Sequence, residues 1–412
     1  MPPPSIGSTS TPIYIIDAVR TPMGKYRGAL ASVRTDDLAA HVIEALTTRH
    51  APVVEHIDHV VFGSSNQAGE DNRNVARMAL LLAGLPYSVP AVTVNRLCGS
   101  GLEAIASAAR MIAVGEASCA IAGGVESMSR APYVMPKPTA AYQRGAPQLY
   151  DTSLGWRFKN PKMAERFELI SLGDTAENLS KKHAVSREDQ DAFALQSHAR
   201  AVAATESGKF AAEIVPVSVP QRKGDAITID RDESIRPNST VEKLAALEPV
   251  FRKGGSVTAG NSSPLSDGAA AVLLASGSVV KRLGVKPMVR VVVNATSGVA
   301  PNYMGEGPIP AVRTVFERAG LRSPNIDLVE LNEAFAVQAL ACMRALDLHP
   351  DRVNVNGGAI ALGHPVGCSG ARIMTTLVHA MQARDANLGI ASLCIGTGQG
   401  IATLVERDKN CV

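Results

Sequence analysis

Short apolar runs recur along the chain, broken by glycine turns and separated by longer helix-period stretches. "HVVFG", "AVTVN" and "CAIAGG" lie in the first third; "LVELN", "RVNVN" and "GIASLCIG" lie in the last. The two sets keep register. "IDHVVFG" from Ile57 meets "IDLVELN" from Ile326, an offset of 269. "GSG" at 99–101 meets "CSG" at 368–370, and "EASCAIAGG" from Glu116 meets "DANLGIASL" from Asp385, both at that same offset. Each half reads as strand, helix, strand, glycine turn, long helix, strand. Apolar strands alternating with helices predict parallel βαβ units covered on both faces. The fold class is α/β, built as two similar halves packed pseudo-symmetrically.

Between them, from about Ser129 to Pro264, the chain is richer in Pro, Lys, Arg and Asp. "MPKPTAAYQRGAPQLYDTSLGWRFKNPKM" is a long loop, a feature that in compact domains usually serves function. "SREDQDAFALQSHARAVAATESG" predicts a helix capped by Ser186, with Asp189 at the capping-box position and Gly208 at its end. The expected organisation is an N-terminal half over 1–128, completed by about 265–286, an insertion over 129–264 lying across one end of the core, and a C-terminal half over 287–412.

Composition narrows the class. Aromatics are 4% of the 412 residues, so small aliphatic side chains carry the packing. A net charge of +3 argues against nucleic acid or a membrane surface as partner. No apolar run is long enough to span a bilayer. "MPPPSIGSTSTP" is neither a secretory nor a mitochondrial signal and reads as a frayed tail, and "NCV" is not a peroxisomal address. A cytoplasmic protein is expected. The six cysteines include no CxxC pair, so they are expected as reduced thiols with no metal site.

Four short motifs stand out. In "NRLCGSG" Cys98 sits where a strand turns into a helix, a setting that lowers a thiol's pKa and makes it nucleophilic. Gly99 and Gly101 are expected to let substrate approach the backbone; a buried cysteine on a tight turn is the equal alternative. In "LNEAFAVQ", Asn332 and Glu333 follow an apolar strand, where α/β sheets place ligand groups, although Asn332 reads as well as a helix cap. In "GGAIALGHPVGCSGARI", His364 is fixed in a glycine turn by Pro365, a loop setting suited to proton transfer. In "SLCIGTGQG", Cys394 ends a strand; the GxGxG spacing and short remaining chain exclude a dinucleotide fold and leave a second reactive thiol beside glycine amides. Pseudo-symmetry would bring Cys98, His364, Asn332 and Cys394 to one pocket, a set suited to acyl transfer with carbanion chemistry.

"NRLCGSGLEAI", "GGVESMSRAPY", "VTAGNSSPLSDGAAAV", "MGEGPIPA", "LNEAFA", "GGAIALGHPVGCSGAR" and "CIGTGQG" together resemble the thiolases, the acetyl-CoA acyltransferases, in order from Ile13 to Glu406. The resemblance implies duplicated βαβαβαββ halves in an α/β/α/β/α arrangement with an inserted loop domain that binds CoA. It implies Cys98 as the acylated nucleophile and His364 as its activator, which also forms an oxyanion hole with a water held by Asn332. It implies Cys394 as the acid/base at the substrate α-carbon, and the Cys98 and Gly396 amides as a second oxyanion hole. Arg236 and Ser263 match CoA-contacting positions, Met304 and Phe335 match pocket walls, and Leu172 stands where the family often has methionine. No permanently bound cofactor is implied; CoA and acyl-CoA are substrates, and a homodimer or homotetramer is the implied assembly. "YDTSLGWRFKNPKM" resembles the degradative branch that cleaves 3-oxoadipyl-CoA and related 3-oxoacyl-CoA esters in aromatic and fatty-acid breakdown. Two other readings fit the same residues: an acetoacetyl-CoA-forming condensing enzyme, and an acyl-CoA binding protein without catalysis.

Overall fold

The computed structural model describes residues 11–408; the expected N-terminal tail to residue 10, and the terminal "NCV", lie outside them. The N-terminal half runs β1 (Ile13–Arg20), α1 (Thr35–Arg49), β2 (His59–Gly63), α2 (Val75–Leu82), β3 (Ala91–Val94), α3 (Ser100–Ala113) and β4 (Cys119–Ser127). The intervening segment carries α4 (Leu172–His183) and α5 (Arg187–Glu206), after which β5 (Ser266–Ser276) returns to the first half. The C-terminal half runs β6 (Val289–Gly298), α6 (Pro308–Ala319), β7 (Leu328–Leu331), α7 (Ala336–Leu346), α8 (Ser369–Ala383), β8 (Leu388–Ile395) and β9 (Gln399–Glu406).

The strands form one sheet in the order β7-β8-β9-β6-β1-β5-β4-β2-β3. Apart from β3, it is symmetric about the point where β1 meets β6 through only two residue pairs, Tyr14 with Arg290 and Ile15 with Val289. The parallel pairing predicted from the apolar runs holds for β2 with β3 and β4, and for β7 with β8. The strands that close each half, β5 and β9, run antiparallel to their neighbours. Every residue of β4 and of β5 is buried, as strands covered on both faces must be.

One predicted strand is nearly absent. "RVNVN" leaves only a single bridge, Val353 to Val329. Asn354 adopts a left-handed backbone (φ 48°) and its side chain replaces the ladder. Its Oδ1 accepts from the Leu331 amide at 2.9 Å, and its Nδ2 donates to the Leu331 carbonyl at 2.8 Å.

Five layers result. Helices α1 and α2 cover one face of the first half through Leu38, Ile43 and Leu80. Helices α6 and α7 cover the outer face of the second through Val312, Val315 and Leu346. Between the halves, α3 and α8 share one core, with Leu102 and Ile105 packed among Ile373 and Leu377. At their N-termini these helices cross at glycine. A Cβ on Gly101 would stand 2.6 Å from the Ala371 nitrogen, and one on Gly370 would collide with the Leu102 nitrogen. The matched "GSG" and "CSG" are therefore the two sides of one contact. It brings the turn before α3 beside the turn before α8.

The segment between the halves is anchored from β1. Arg20, with no exposed surface, pairs with Glu213 (2.6 Å) and Asp232 (2.6 Å). Helix α5 begins as predicted, with Ser186 Oγ accepting from the Asp189 amide at 3.0 Å, and ends before Gly208 at φ 70°.

Candidate active site

The turn that presents Cys98 is held from several sides. Asn95 Oδ1 accepts from the Leu97 amide at 2.9 Å, and Ser100 Oγ accepts from the Arg96 amide at 2.9 Å. Arg96 pairs with Glu103 one helical turn inside α3. Leu97 takes a positive φ of 46°, a strained setting that positions the next residue. Gly99 and Gly101 do not open the backbone to substrate, as the sequence suggests. A Cβ on Gly99 would meet Ile395, and Gly101 meets α8, so both admit the opposite half of the protein.

Cys98 is almost fully buried, and the N–H groups of Gly396 and of Cys98 itself face its sulfur. The expected drop in thiol pKa does not occur. Burial pushes Cys98 up to about 11, and the two amides offset only part of that. Two buried thiols thus stand together, because burial, followed by the neighbouring sulfurs of Cys98 and Cys342, also raises Cys394 well above the ordinary thiol range. Cys394 closes β8, packed among Met304, Phe335 and Val337. Gly396 opens the three-residue turn to β9, in which Thr397 (φ 64°) and Gly398 (φ 87°) are left-handed.

His364 lies on the turn before α8, its amide donating to Ser266 Oγ at 3.1 Å. Its Nδ1 is 2.6 Å from Ser369 Oγ, and that hydroxyl spends its only proton on the Pro365 carbonyl at 2.9 Å. With that hydroxyl donating to Pro365, Nδ1 carries the ring proton and Nε2 keeps its lone pair, which is the tautomer a base toward Cys98 needs. Burial, then Arg372, holds His364 down to about 4, so the ring is neutral at physiological pH. The resting site is thus a thiol beside a neutral imidazole, not a thiolate–imidazolium pair. Alkylation of Cys98 by iodoacetamide in substrate-free enzyme should climb steadily from about pH 7 to about pH 10. A plateau at neutral pH, read at the Cys98 peptide by mass spectrometry, would reveal a preformed ion pair and contradict this.

Asn332 is fully buried, its Nδ2 3.5 Å from each ring nitrogen of His364 and its Oδ1 without a protein partner. The capping alternative fails, because α7 starts behind Phe335 and has no side-chain cap. Glu333 anchors the motif. Its carboxylate accepts from Ser197 Oγ of α5 (2.7 Å), Asn354 Nδ2 (2.8 Å) and the Ile360 amide (3.1 Å).

Cys98, His364, Cys394 and Gly396 line one cavity of about 440 Å³, together with Leu172, Ser263, Met304 and Phe335. Asn332 stands behind His364. Arg236 is the exception: it is exposed, its backbone amide donates to His198 Nδ1, and its side chain is not part of the cavity wall. Among the described residues no group of three or more His, Cys, Asp or Glu is placed to hold a metal.

Sequence reasoning passed over Glu126 and Ser369. Glu126 is buried at the end of β4 and ties both halves together. It accepts from the Ser65 hydroxyl and amide on one side and from the Gly367 amide (2.8 Å) on the other. Burial raises its carboxyl above the usual carboxylate range. A carboxylate inside the otherwise apolar run "CAIAGGVES" was the available signal. For Ser369 no local signal exists, because its role depends on where its proton goes.

Residues 13–278 match the family model "Thiolase, N-terminal domain", and residues 285–407 match "Thiolase, C-terminal domain". The chain belongs to the thiolase family. Curated relatives of this thiolase include a beta-ketoadipyl-CoA thiolase of Pseudomonas putida, 53% identical over 96% of this chain and 99% of that protein. A 3-oxoadipyl-CoA/3-oxo-5,6-dehydrosuberyl-CoA thiolase of Escherichia coli is 52% identical over 96% of this chain and 99% of its own length. Among solved structures, human mitochondrial 3-ketoacyl-CoA thiolase in complex with CoA superposes with a TM-score of 0.90, at 41% identity, covering 97% of this chain and 98% of that one. The family and layered fold read from the motifs are borne out. This thiolase is an acyltransferase that cleaves 3-oxoacyl-CoA with CoA to acetyl-CoA and a shortened acyl-CoA.

Proposed function

We propose that this thiolase works on 3-oxoadipyl-CoA, releasing acetyl-CoA and succinyl-CoA through an acyl-enzyme on Cys98. The observation that carries the mechanism is the meeting of two protonated thiols and one neutral imidazole in a single cavity. The acyl class is supported by the names of relatives that match nearly the whole chain at 53% and 52% identity.

As the Cys98 sulfur bonds to the 3-keto carbon, its proton passes to His364 Nε2. The Cys98 and Gly396 amides receive the developing C3 oxyanion. The new His364 N–H, aided by a water held at Asn332, whose buried Oδ1 is free to accept, faces the substrate's C1 thioester oxygen, where the enolate charge gathers. The C2–C3 bond breaks, and the enolate of acetyl-CoA takes the Cys394 proton. The thiolate left on Cys394 draws the proton from incoming CoA, whose sulfur attacks the acyl-enzyme. The Cys98 and Gly396 amides hold the thioester oxygen in that step. Cys98 leaves and recovers its proton from His364. Splitting the cleavage into two covalent steps is what the nucleophile contributes, and the fixed amides stabilise charge without reorganising.

Burial is what suits Cys394 to its part. A thiol held protonated is a ready acid for an enolate, a far stronger base. Ser263, Leu172, Met304 and Phe335 are assigned to the bound CoA and acyl chain. Arg236 stands outside the cavity wall and is assigned only to parts of CoA that extend beyond it. The 129–264 segment is the CoA-binding insertion in this reading.

A homodimer or homotetramer acting in the cytoplasm completes the proposal. Strand β3 is an edge of the sheet with Val92 exposed, and Leu81, Leu82 and Tyr87 are exposed nearby in sequence, a surface suited to a second copy. Among the described residues no helix is long and apolar enough to cross a membrane.

The deciding experiment is thiolysis across a panel of acetoacetyl-CoA, 3-oxohexanoyl-CoA and 3-oxoadipyl-CoA. We expect kcat/KM highest with 3-oxoadipyl-CoA, by roughly tenfold over 3-oxohexanoyl-CoA, about what one charge-assisted contact supplies. A preference for acetoacetyl-CoA would replace this reading with the condensing one.

A further inference from the structure

Three side chains in the cavity wall carry an ionisable carboxyl or guanidinium: Glu126, Glu168 and Arg157. Each carboxyl is already engaged. Glu126 is enclosed by the Ser65, Asn66 and Gly367 amides, and Glu168 accepts from Asn302 Nδ2 at 2.9 Å. Arg157 differs. It is the only arginine or lysine in the wall, and it makes no ion pair among the described residues. Its guanidinium has only two hydrogen bonds, from Nη1 to the Thr152 carbonyl and from Nη2 to the Asn66 carbonyl, both 3.5 Å and so at the limit of a bond. Other arginines of the same region are satisfied: Arg130 holds Glu70, Arg96 holds Glu103, and Arg252 reaches Asp174.

Arg157 is also tied to the reacting end of the cavity. Asn66 Nδ2 donates to both the Thr152 carbonyl and its hydroxyl at 3.2 Å, while the Asn66 amide donates to Glu126 Oε1. Glu126 in turn holds the Gly367 amide, three residues beyond His364. The guanidinium thus rests on the wall segment that the buried Glu126 joins to the His364 turn. The side chain is half-buried, with mostly apolar neighbours such as Leu154, Trp156 and Met128 lining the same cavity. A planar fork of donors without an anion, in a partly desolvated wall, is built to take a carboxylate bidentately.

We infer that Arg157 recognises the distal carboxylate of a dicarboxyl acyl chain whose keto carbon is presented to Cys98. This rests on the proposal that the enzyme acts on 3-oxoadipyl-CoA, and it names the group that makes the choice. The apolar remainder of the cavity would accept a methyl terminus as well as a methylene. Arg157 is what separates a chain ending in carboxylate from one ending in methyl.

The test uses the intact enzyme and two substrates of equal chain length, 3-oxoadipyl-CoA and 3-oxohexanoyl-CoA, which differ only at the terminal carbon. The readout is the ratio of their kcat/KM values, which a general loss of fold or catalysis does not move. In Arg157→Gln the ratio should fall roughly tenfold, erasing the wild-type preference, through a raised KM for the dicarboxyl substrate. Arg157→Lys, which keeps the charge and loses the fork, should fall between. A wild-type preference that survives in Arg157→Gln overturns the role of Arg157 alone. Equal losses on both substrates with a raised KM for CoA would assign Arg157 to CoA and overturn it too. A wild type with no preference for the carboxylate sinks the acyl-class reading and this inference with it.

Discussion

Cys98→Ala should lower thiolysis by roughly four orders of magnitude or more, with no acyl adduct found on the protein by mass spectrometry. Nothing else in the cavity can take over. The only other thiol in its wall, Cys394, is held protonated by burial and by the sulfurs beside it. The protein should still fold, because alanine is smaller and the turn is held by Asn95, Ser100 and Arg96. A variant that retained wild-type turnover would remove Cys98 from the mechanism altogether.

Cys394→Ala separates the two halves of the reaction. Incubated with acetyl-CoA, the variant should still form the acetyl adduct on Cys98. The attack on the thioester needs His364 and the Cys98 and Gly396 amides, which the substitution leaves in place. In deuterated water, however, the methyl protons of acetyl-CoA should no longer exchange, and overall cleavage of 3-oxoacyl-CoA should fall by roughly a hundredfold to ten-thousandfold. Exchange at the wild-type rate would show that some other group moves the α-proton. Loss of the adduct as well would place Cys394 in the acylation step.

The residues that react were legible because each sits on a turn that breaks a strong local pattern. Cys98 and His364 interrupt glycine loops at helix starts, Cys394 ends a strand, and Asn332 follows one. What the sequence could not carry is anything decided by burial or by distant contact. A helix N-terminus predicts an acidic thiol, but Cys98 lies under the other half of the molecule, and desolvation outweighs the amides. Gly99 and Gly101 look like openings for substrate from a window of ten residues; their actual neighbours, Ile395 and Ala371, lie 296 and 270 positions away. "RVNVN" has a strand's alternation, yet Asn354 folds back to satisfy Leu331 and Glu333. Arg157 was hidden for the opposite reason. Its importance lies in a missing partner, and only the assembled cavity shows that no carboxylate reaches it.

The glycine crossing of α3 and α8 has a consequence for the life of the chain before it works. Gly101 and Gly370 are separated by 269 positions, so closing this contact is a late event that needs the last fifth of the polypeptide. Until then the nucleophile lacks both His364 and the Gly396 amide of its oxyanion hole. In the folded chain the half that withdraws that thiol from water also supplies His364, before α8, and Gly396, before β9. An N-terminal fragment that ends before α8 holds Cys98 but not the Gly396 amide. Shielding of the thiol and completion of its site therefore come from the same C-terminal stretch of sequence.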